Sequence, residues 1–185
     1  MGSHPSSQHK SKSGKTFTVR TALPSDALGI LVHVRQVMDE KIYTLSLSEE
    51  LPLTEAQEVE WINKTNANPS SLILVAVHGE EVIGMLDFSP GHRQRIAHTG
   101  EFGMGLNAAF REDGIGAVML TTLIGWAATT HPIIENVSLK VHATNSRAIA
   151  LYQKFGFVKQ GEMVRDLKYA PGHYVNTVLM VKFVK

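Results

Sequence analysis

Glu101-Phe102-Gly103-Met104-Gly105-Leu106 alternates in character. In a strand, side chains point to opposite faces in turn, so Phe102, Met104 and Leu106 share one face and Glu101, Gly103 and Gly105 the other. The first face is apolar and ready to bury. The second presents a carboxylate beside two positions without side chains. Glycine weakens a strand, so two of them imply a bulge or the close approach of a ligand. Further on, Gly114-Ile115-Gly116 opens a run with apolar residues at Ile115, Met119, Leu123 and Trp126, which is helical spacing. The first turn of a helix has unpaired N–H groups and about half a unit of positive charge. Glycines let a phosphate reach those amides. The turn therefore reads as an anion site, for a pyrophosphate, although the spacing alone also fits a plain tight connection.

In context the reading sharpens. A strand, then Arg111-Glu112-Asp113-Gly114-Ile115-Gly116, then a helix resembles the acyl-CoA-binding motif of the GNAT superfamily of N-acyltransferases. That motif is written Gln/Arg-x-x-Gly-x-Gly/Ala, and Arg111, Gly114 and Gly116 match it. Asn145-Ser146-Arg147-Ala148-Ile149-Ala150-Leu151-Tyr152-Gln153-Lys154-Phe155-Gly156-Phe157 resembles the same superfamily's second signature. There an Asn opens a helix, a Tyr sits inside it, and a Phe-Gly-Phe turn ends it. The two stretches stand in the family's order and at its usual separation, and the resemblance covers roughly residues 16–185. One departure stands out. The family commonly has Gly, Lys or Arg where Glu112 and Asp113 stand, and two acids beside a pyrophosphate repel it unless they point into screening solvent.

The resemblance implies an acetyl-CoA-dependent N-acetyltransferase working by direct transfer in a ternary complex. Phe102, Gly103 and Met104 would line the pantetheine arm, with a backbone N–H near Met104 polarising the thioester carbonyl. Arg111, Glu112, Asp113, Gly114, Ile115, Gly116 and Ala117 would hold the pyrophosphate. Asn145 takes the position that contacts the CoA arm, and Tyr152 that of the general acid for the leaving thiolate. Glu101 would be the base, with His98 second, although alternation puts His98 on the apolar face. On residue type alone, Asn145 is also a helix cap, Glu101 a solvated carboxylate, and Tyr152 a packed member of the stripe Ala148, Leu151, Tyr152, Phe155. No histidine pair has metal-ligand spacing, so no metal is expected. The acceptor is expected to be a primary amine, first of a small or amino-acid-like molecule, second of a protein or peptide. A CoA-binding module without catalysis is the alternative that Glu112 and Asp113 favour.

The elements that must position these residues fit one domain. The chain has 185 residues, 43% of them hydrophobic, enough for one sizeable core. Its net charge of +1 gives no basic field, which argues against nucleic acid as the main partner. The lack of cysteine excludes disulfides and a cysteine nucleophile. No apolar run is long enough to span a membrane, and a cytoplasmic location is expected. Residues 1–15, rich in Ser, His and Lys, are expected to form a disordered tail whose Met-Gly-Ser-His opening could be a vestige of expression. Residues 16–185 are expected to form a single GNAT-like domain. Phe17 to Thr21 reads as the first strand. Leu28, Leu31, Val32 and Arg35 read as the inner stripe of the first helix. Residues 39–52 are irregular, and in the resembled family that region lies over the acceptor site. Thr54-Glu55-Ala56-Gln57 is a capping box that starts a second helix. Trp61 on it is either a core residue or a wall of the acceptor pocket. Leu72 to Val77 is apolar throughout, as in a strand covered on both faces. His131-Pro132 stops the helix after the glycine loop. The fold class is α/β: a mixed, mostly antiparallel central sheet of about seven strands, splayed in the middle, with helices on both faces. The resemblance also allows a homodimer through the last strands.

Overall fold

Alternating apolar residues and a few well-marked helix starts produce a single sheet clad on both sides. The computed structural model describes residues 3–51, 53–130 and 132–185. The strands are β1 (Ser7–Lys10), β2 (Thr16–Thr21), β3 (Leu72–His78), β4 (Glu81–Pro90), β5 (Thr99–Leu106), β6 (Asn136–His142), β7 (Val158–Ala170) and β8 (His173–Phe183). The helices are α1 (Ala27–Asp39), α2 (Glu55–Ala67), α3 (Ile115–Gly125) and α4 (Ser146–Lys154), with a π turn, Trp126–Thr130, continuing α3. The strands form one eight-stranded sheet in the order β1-β2-β3-β4-β5-β6-β8-β7. Every neighbouring pair is antiparallel except β5 and β6.

Because side chains alternate, β3 feeds two cores. Leu72, Leu74 and Ala76 join the main cluster with Ile115, Met119, Leu120 and Leu123 of α3 and Tyr152 of α4. Ile73 and Val75 join a smaller cluster with Ile30 of α1 and Ile62 of α2. The uniformly apolar strand is thus covered on both faces. The capping box at α2 forms as expected: Gln57 N–H donates to Thr54 Oγ1 (3.3 Å), and Thr54 N–H donates to Gln57 Oε1 (2.9 Å).

Several expectations are corrected. Residues 7–10 are not disordered but form β1, paired with β2 from Ser7↔Val19 to Lys10↔Thr16. That strand raises the count from about seven to eight. An edge strand is held by backbone hydrogen bonds, which polar residues make as well as apolar ones. On α1 the buried positions are Ala27, Ile30, Leu31 and His33, while Leu28 and Val32 are exposed. The inward face is the one that packs Ala27 and Ile30 against Ile73 and Val75 of β3, Val82 of β4 and Ile62 of α2. Trp61 packs against the smaller cluster rather than walling a pocket. His131, read as part of a helix stop, lies outside the described residues. No helix among them is long and apolar enough to cross a membrane.

Candidate active site

The parallel seam positions everything else. β5 and β6 pair at only three positions, Thr99↔Asn136, Gly100↔Val137 and Glu101↔Ser138. Beyond Glu101, β5 continues beside β4 up to Gly84↔Leu106. β6 instead follows β8 out to His142↔Thr177. The two strands diverge and leave an opening in the sheet. Backbone direction in β5 is fixed by its ends. His98 C=O accepts from Asn136 N–H (3.1 Å) on the β6 side, while Thr99 C=O accepts from Gly91 N–H (2.8 Å) and Asn107 N–H donates to Ile83 C=O (3.0 Å) on the β4 side. Alternation therefore turns the Met104 N–H toward the opening, past the last β6 partner.

A cavity of about 550 Å³ runs through this opening. On one sheet face it is bounded by Phe102, Met104 and Leu106 of β5, Gly114, Gly116 and Ala117 at the start of α3, and Asn145, Arg147 and Tyr152 at α4. On the other it meets Val37 of α1 and the Tyr43, Thr44 and Leu45 segment, with Lys140 and His142 from β6. Tyr169 O–H donates to Ile42 C=O (2.7 Å) and lies 2.9 Å from His142 Nδ1, so the irregular segment is tied to the sheet above the cavity.

The glycine loop leaves backbone amides unpaired at the start of α3. Gly114 is the N-cap of α3 at φ 91°, a conformation that costs other residues roughly 1–2 kcal/mol. Val118 N–H makes the first helical bond, to Gly114 C=O, and the amides before it in the turn have no intrahelical partner. At Gly116 a Cβ would meet Leu106 Cδ1 at 3.3 Å and Leu151 Cδ2 and Met104 Cε at 3.5 Å. This glycine allows close packing of α3 on β5 and α4 at the apolar wall of the cavity, which all three of those residues line. Ile115 is buried in the main cluster and offers the cavity no side chain.

The charged members of the loop are committed. Arg111 forms a bidentate pair with Glu40 beyond the C-terminus of α1, and its Nε donates to Leu106 C=O (3.0 Å). It clamps the end of β5 to α1. Glu112, largely exposed, lies 3.6 Å from Arg147. Asp113 does not line the cavity; its carboxylate accepts from Ser13, and these hydrogen bonds hold its pKa below the usual range. Asn145 caps α4, accepting from Ala148 N–H (3.1 Å), and lines the cavity as well.

Tyr152 is buried, edge-on to Phe102 (5.8 Å) and Phe157 (5.9 Å). Burial pushes its hydroxyl up to about 12, so it stays protonated. No hydrogen-bond partner engages that hydroxyl among the described residues, and the side chain lines the cavity. Glu101, expected to be the base, is half exposed and not among the lining residues; its carboxylate lies 3.1 Å from Lys140, which does line the cavity. His98 is not among the lining residues.

Two residues escaped the sequence reading. Asp87 of β4 pairs with Gly103, and its Oδ1 lies 3.1 Å from where a Gly103 Cβ would be. Burial, with the Glu101 charge adding to it, raises its carboxyl to about 6. The missing Cβ makes room for this buried carboxyl against Gly103, which lines the cavity. His33 of α1 is buried, 2.6 Å from Asn107 Oδ1 through its Nδ1, and burial lowers its pKa so that it is neutral. The side-chain-free positions next to Glu101 were the available signal that something on a neighbouring element approaches there. No group of three His, Cys, Asp or Glu among the described residues is placed to hold a metal.

Comparison with known proteins agrees with this geometry. The family model described as "Acetyltransferase (GNAT) family" matches residues 40–157. The L-amino acid N-acetyltransferase AaaT of Escherichia coli (strain K12) is 26% identical over 128 residues, 66% of this chain and 74% of that protein. An acetyltransferase of the GNAT family from Streptococcus pneumoniae superposes with a TM-score of 0.86 at 25% identity, over 91% of this chain and 99% of that one. A GNAT superfamily phosphinothricin acetyltransferase from Sinorhizobium meliloti, solved in complex with AcCoA, gives 0.76 at 23% identity, over 90% and 88%.

Proposed function

This chain belongs to the acetyltransferase (GNAT) family, and from that premise we propose that it moves an acetyl group from acetyl-CoA to the primary amine of a small, amino-acid-like molecule in a ternary complex. One observation carries the reading. A single cavity passes through the split between β5 and β6, with the glycine loop and Tyr152 on one face and Val37, Tyr43 and Leu45 on the other. Donor and acceptor can thus meet inside the sheet. The amino-acid-like acceptor draws support from the AaaT relative.

The residues present fit acetyl-CoA. Unpaired amides at the start of α3 suit a pyrophosphate, and the basic side chains Lys12, Arg147 and Lys154 border the same cavity. When bound, acetyl-CoA supplies an acetyl group activated as a thioester. The Met104 N–H would donate to the carbonyl oxygen as charge develops on it. Glu101 would take the proton of the amine, directly or through water, once Lys140 yields its place. Asp87, protonated to a higher pH than usual, keeps a second negative charge from crowding Glu101 at mildly acidic pH. Tyr152, kept neutral by burial, would donate toward the leaving sulfur.

The test is thiol release from acetyl-CoA across a panel of amino acids, small amines and amine-bearing peptides. Turnover with a small amine supports the proposal. Preference for peptides would overturn the acceptor class. CoA binding without turnover on any acceptor would leave a binding module in place of an enzyme.

A further inference from the structure

Two acidic residues in a pyrophosphate loop are an electrostatic anomaly, and the turn between β1 and β2 accounts for one of them. Residues 11–15 close a tight turn: Ser11 N–H donates to Lys15 C=O (2.8 Å) and Gly14 N–H to Ser11 C=O (3.0 Å). This turn is stitched onto the glycine loop, about a hundred positions away in sequence. Lys12 N–H donates to the Asp113 carbonyl (3.0 Å). Ser13 donates twice to the Asp113 carboxylate, from its N–H to Oδ1 and from its hydroxyl to Oδ2, both at 2.6 Å. Lys15 places its ammonium 4.5 Å from the centre of the Phe110 ring, at the entry to the same loop. Four contacts thus fix the turn against residues 110–113.

The consequence is the location of Lys12. It lines the cavity, and its Cγ lies 3.8 Å from where a Gly114 Cβ would be. None of the ion pairs among the described residues involves it. Arg111, the cation that the loop itself carries, is neutralised by Glu40. We propose that residues 11–15 form a strap across the glycine loop that presents the Lys12 ammonium to the pyrophosphate of bound CoA, with Asp113 positioning the strap. This rests on the acetyl-CoA reading above. Asp113 is then not a repulsive neighbour of the phosphates. Its carboxylate is spent on the two donors of Ser13, and with its carbonyl on Lys12 N–H it delivers a cation to the site. Glu112 does line the cavity, where Arg147, 3.6 Å away, offsets its charge.

The strap predicts a sign that simple repulsion reverses. Calorimetry with CoA, at low salt and again at high salt, would be run on the full chain and on Lys12→Ala, Lys12→Arg, Asp113→Ala and the Lys12→Ala/Asp113→Ala double variant. Losing one charge-assisted contact to phosphate should raise Kd for CoA about tenfold in Lys12→Ala. Lys12→Arg should retain affinity, and the loss in Lys12→Ala should shrink at high salt. Asp113→Ala removes a negative charge near a polyanion, yet should also weaken binding about tenfold, because the strap is released. In the Lys12→Ala background the same change should no longer weaken binding, a non-additivity expected of residues acting through one contact. Unchanged melting temperatures in Lys12→Ala would confirm that the fold is intact. The proposal is overturned if Lys12→Ala binds CoA like the wild type at low salt, or if Asp113→Ala tightens binding in the wild-type background. A wild-type chain that does not bind CoA at all would instead overturn the acetyl-CoA reading, and the strap with it.

Discussion

Removing the Tyr152 hydroxyl separates a catalytic tyrosine from a packed one. Tyr152→Phe keeps the ring against Phe102 and Phe157 and deletes one oxygen. Burial holds that hydroxyl at about 12, whereas an ordinary thiol titrates near 8.5, so full proton transfer to the sulfur is uphill by about 5 kcal/mol. Tyr152 alone therefore does not drive thiolate departure. In the proposed reaction its contribution would be a hydrogen bond to sulfur that strengthens as charge develops, with delivery coupled to deprotonation of the amine. Hydrogen bonds to charged groups are worth about 1.5–3 kcal/mol, or roughly ten- to hundredfold. General acids contribute roughly 10² to 10⁴. The two ranges meet near 10²-fold, the expected fall in kcat, with an equal fall in kcat/KM. Thiol release suits the assay, because a chain without cysteine gives no background. Stability should change little at neutral pH. A control follows from linkage. Between pH 10 and 12 the unfolded tyrosine loses its proton and the folded one keeps it, so wild-type stability falls by about 3 kcal/mol over that window. The Phe variant should lack that fall. Wild-type turnover in Tyr152→Phe would refute the catalytic role and leave only the packing one.

Other substitutions test the rest of the site. Gly116→Val should destabilise the fold by about 1–3 kcal/mol, because its side chain meets Leu106, Leu151 and Met104, and a melting temperature equal to wild type would show that the packing is looser than described. Glu101→Gln should lower kcat/KM strongly at neutral pH and erase the acid limb of the pH–rate profile, with CoA affinity intact by calorimetry; an unaltered profile points to another base. Asp87→Asn should alter the pH dependence of stability. A carboxyl raised to about 6 favours the fold below about pH 4, where both states are protonated, and that contribution is lost as pH rises through 6. The Asn variant should therefore lose less stability than wild type between pH 4 and 7 in thermal melts, and parallel curves would mean that Asp87 titrates normally.

Local chemistry was legible where it needed no distant partner. The Thr54 box and the double burial of β3 both follow from a few neighbouring residues. The two motifs, Arg111–Gly116 and Asn145–Phe157, were enough to indicate the family and the splayed sheet. What escaped depends on register and on chain segments far apart. Asp87 is an unremarkable strand aspartate until β4 pairs it with Gly103. Arg111 reads as a free cation until the end of α1 brings Glu40 against it. Residues 7–10 have no apolar face, so no periodicity marks them as a strand; β2 supplies the ladder. On α1, Leu28 and Val32 are as apolar as Ile30, and only packing on β3, β4 and α2 decides which face turns inward.

The short seam between β5 and β6 also shapes the mechanics of the molecule. It joins a five-strand half, β1 to β5, to a three-strand half, β6, β8 and β7. On the α3 and α4 side the halves share one core, since Leu72 and Leu86 pack in the same cluster as Leu139 and Met180. On the opposite side the smaller cluster draws on β3 and β4 and on no residue of the three-strand half. On that side the halves are joined through side chains instead: Tyr169 O–H of β7 donates to Ile42 C=O (2.7 Å), and Tyr43 O–H donates to Thr144 C=O (3.5 Å). The segment that covers the cavity is thus also what ties the halves together where the backbone ladder ends. A ligand seated in the gap bridges what the backbone leaves unjoined, so its binding energy acts at the weakest line of the sheet.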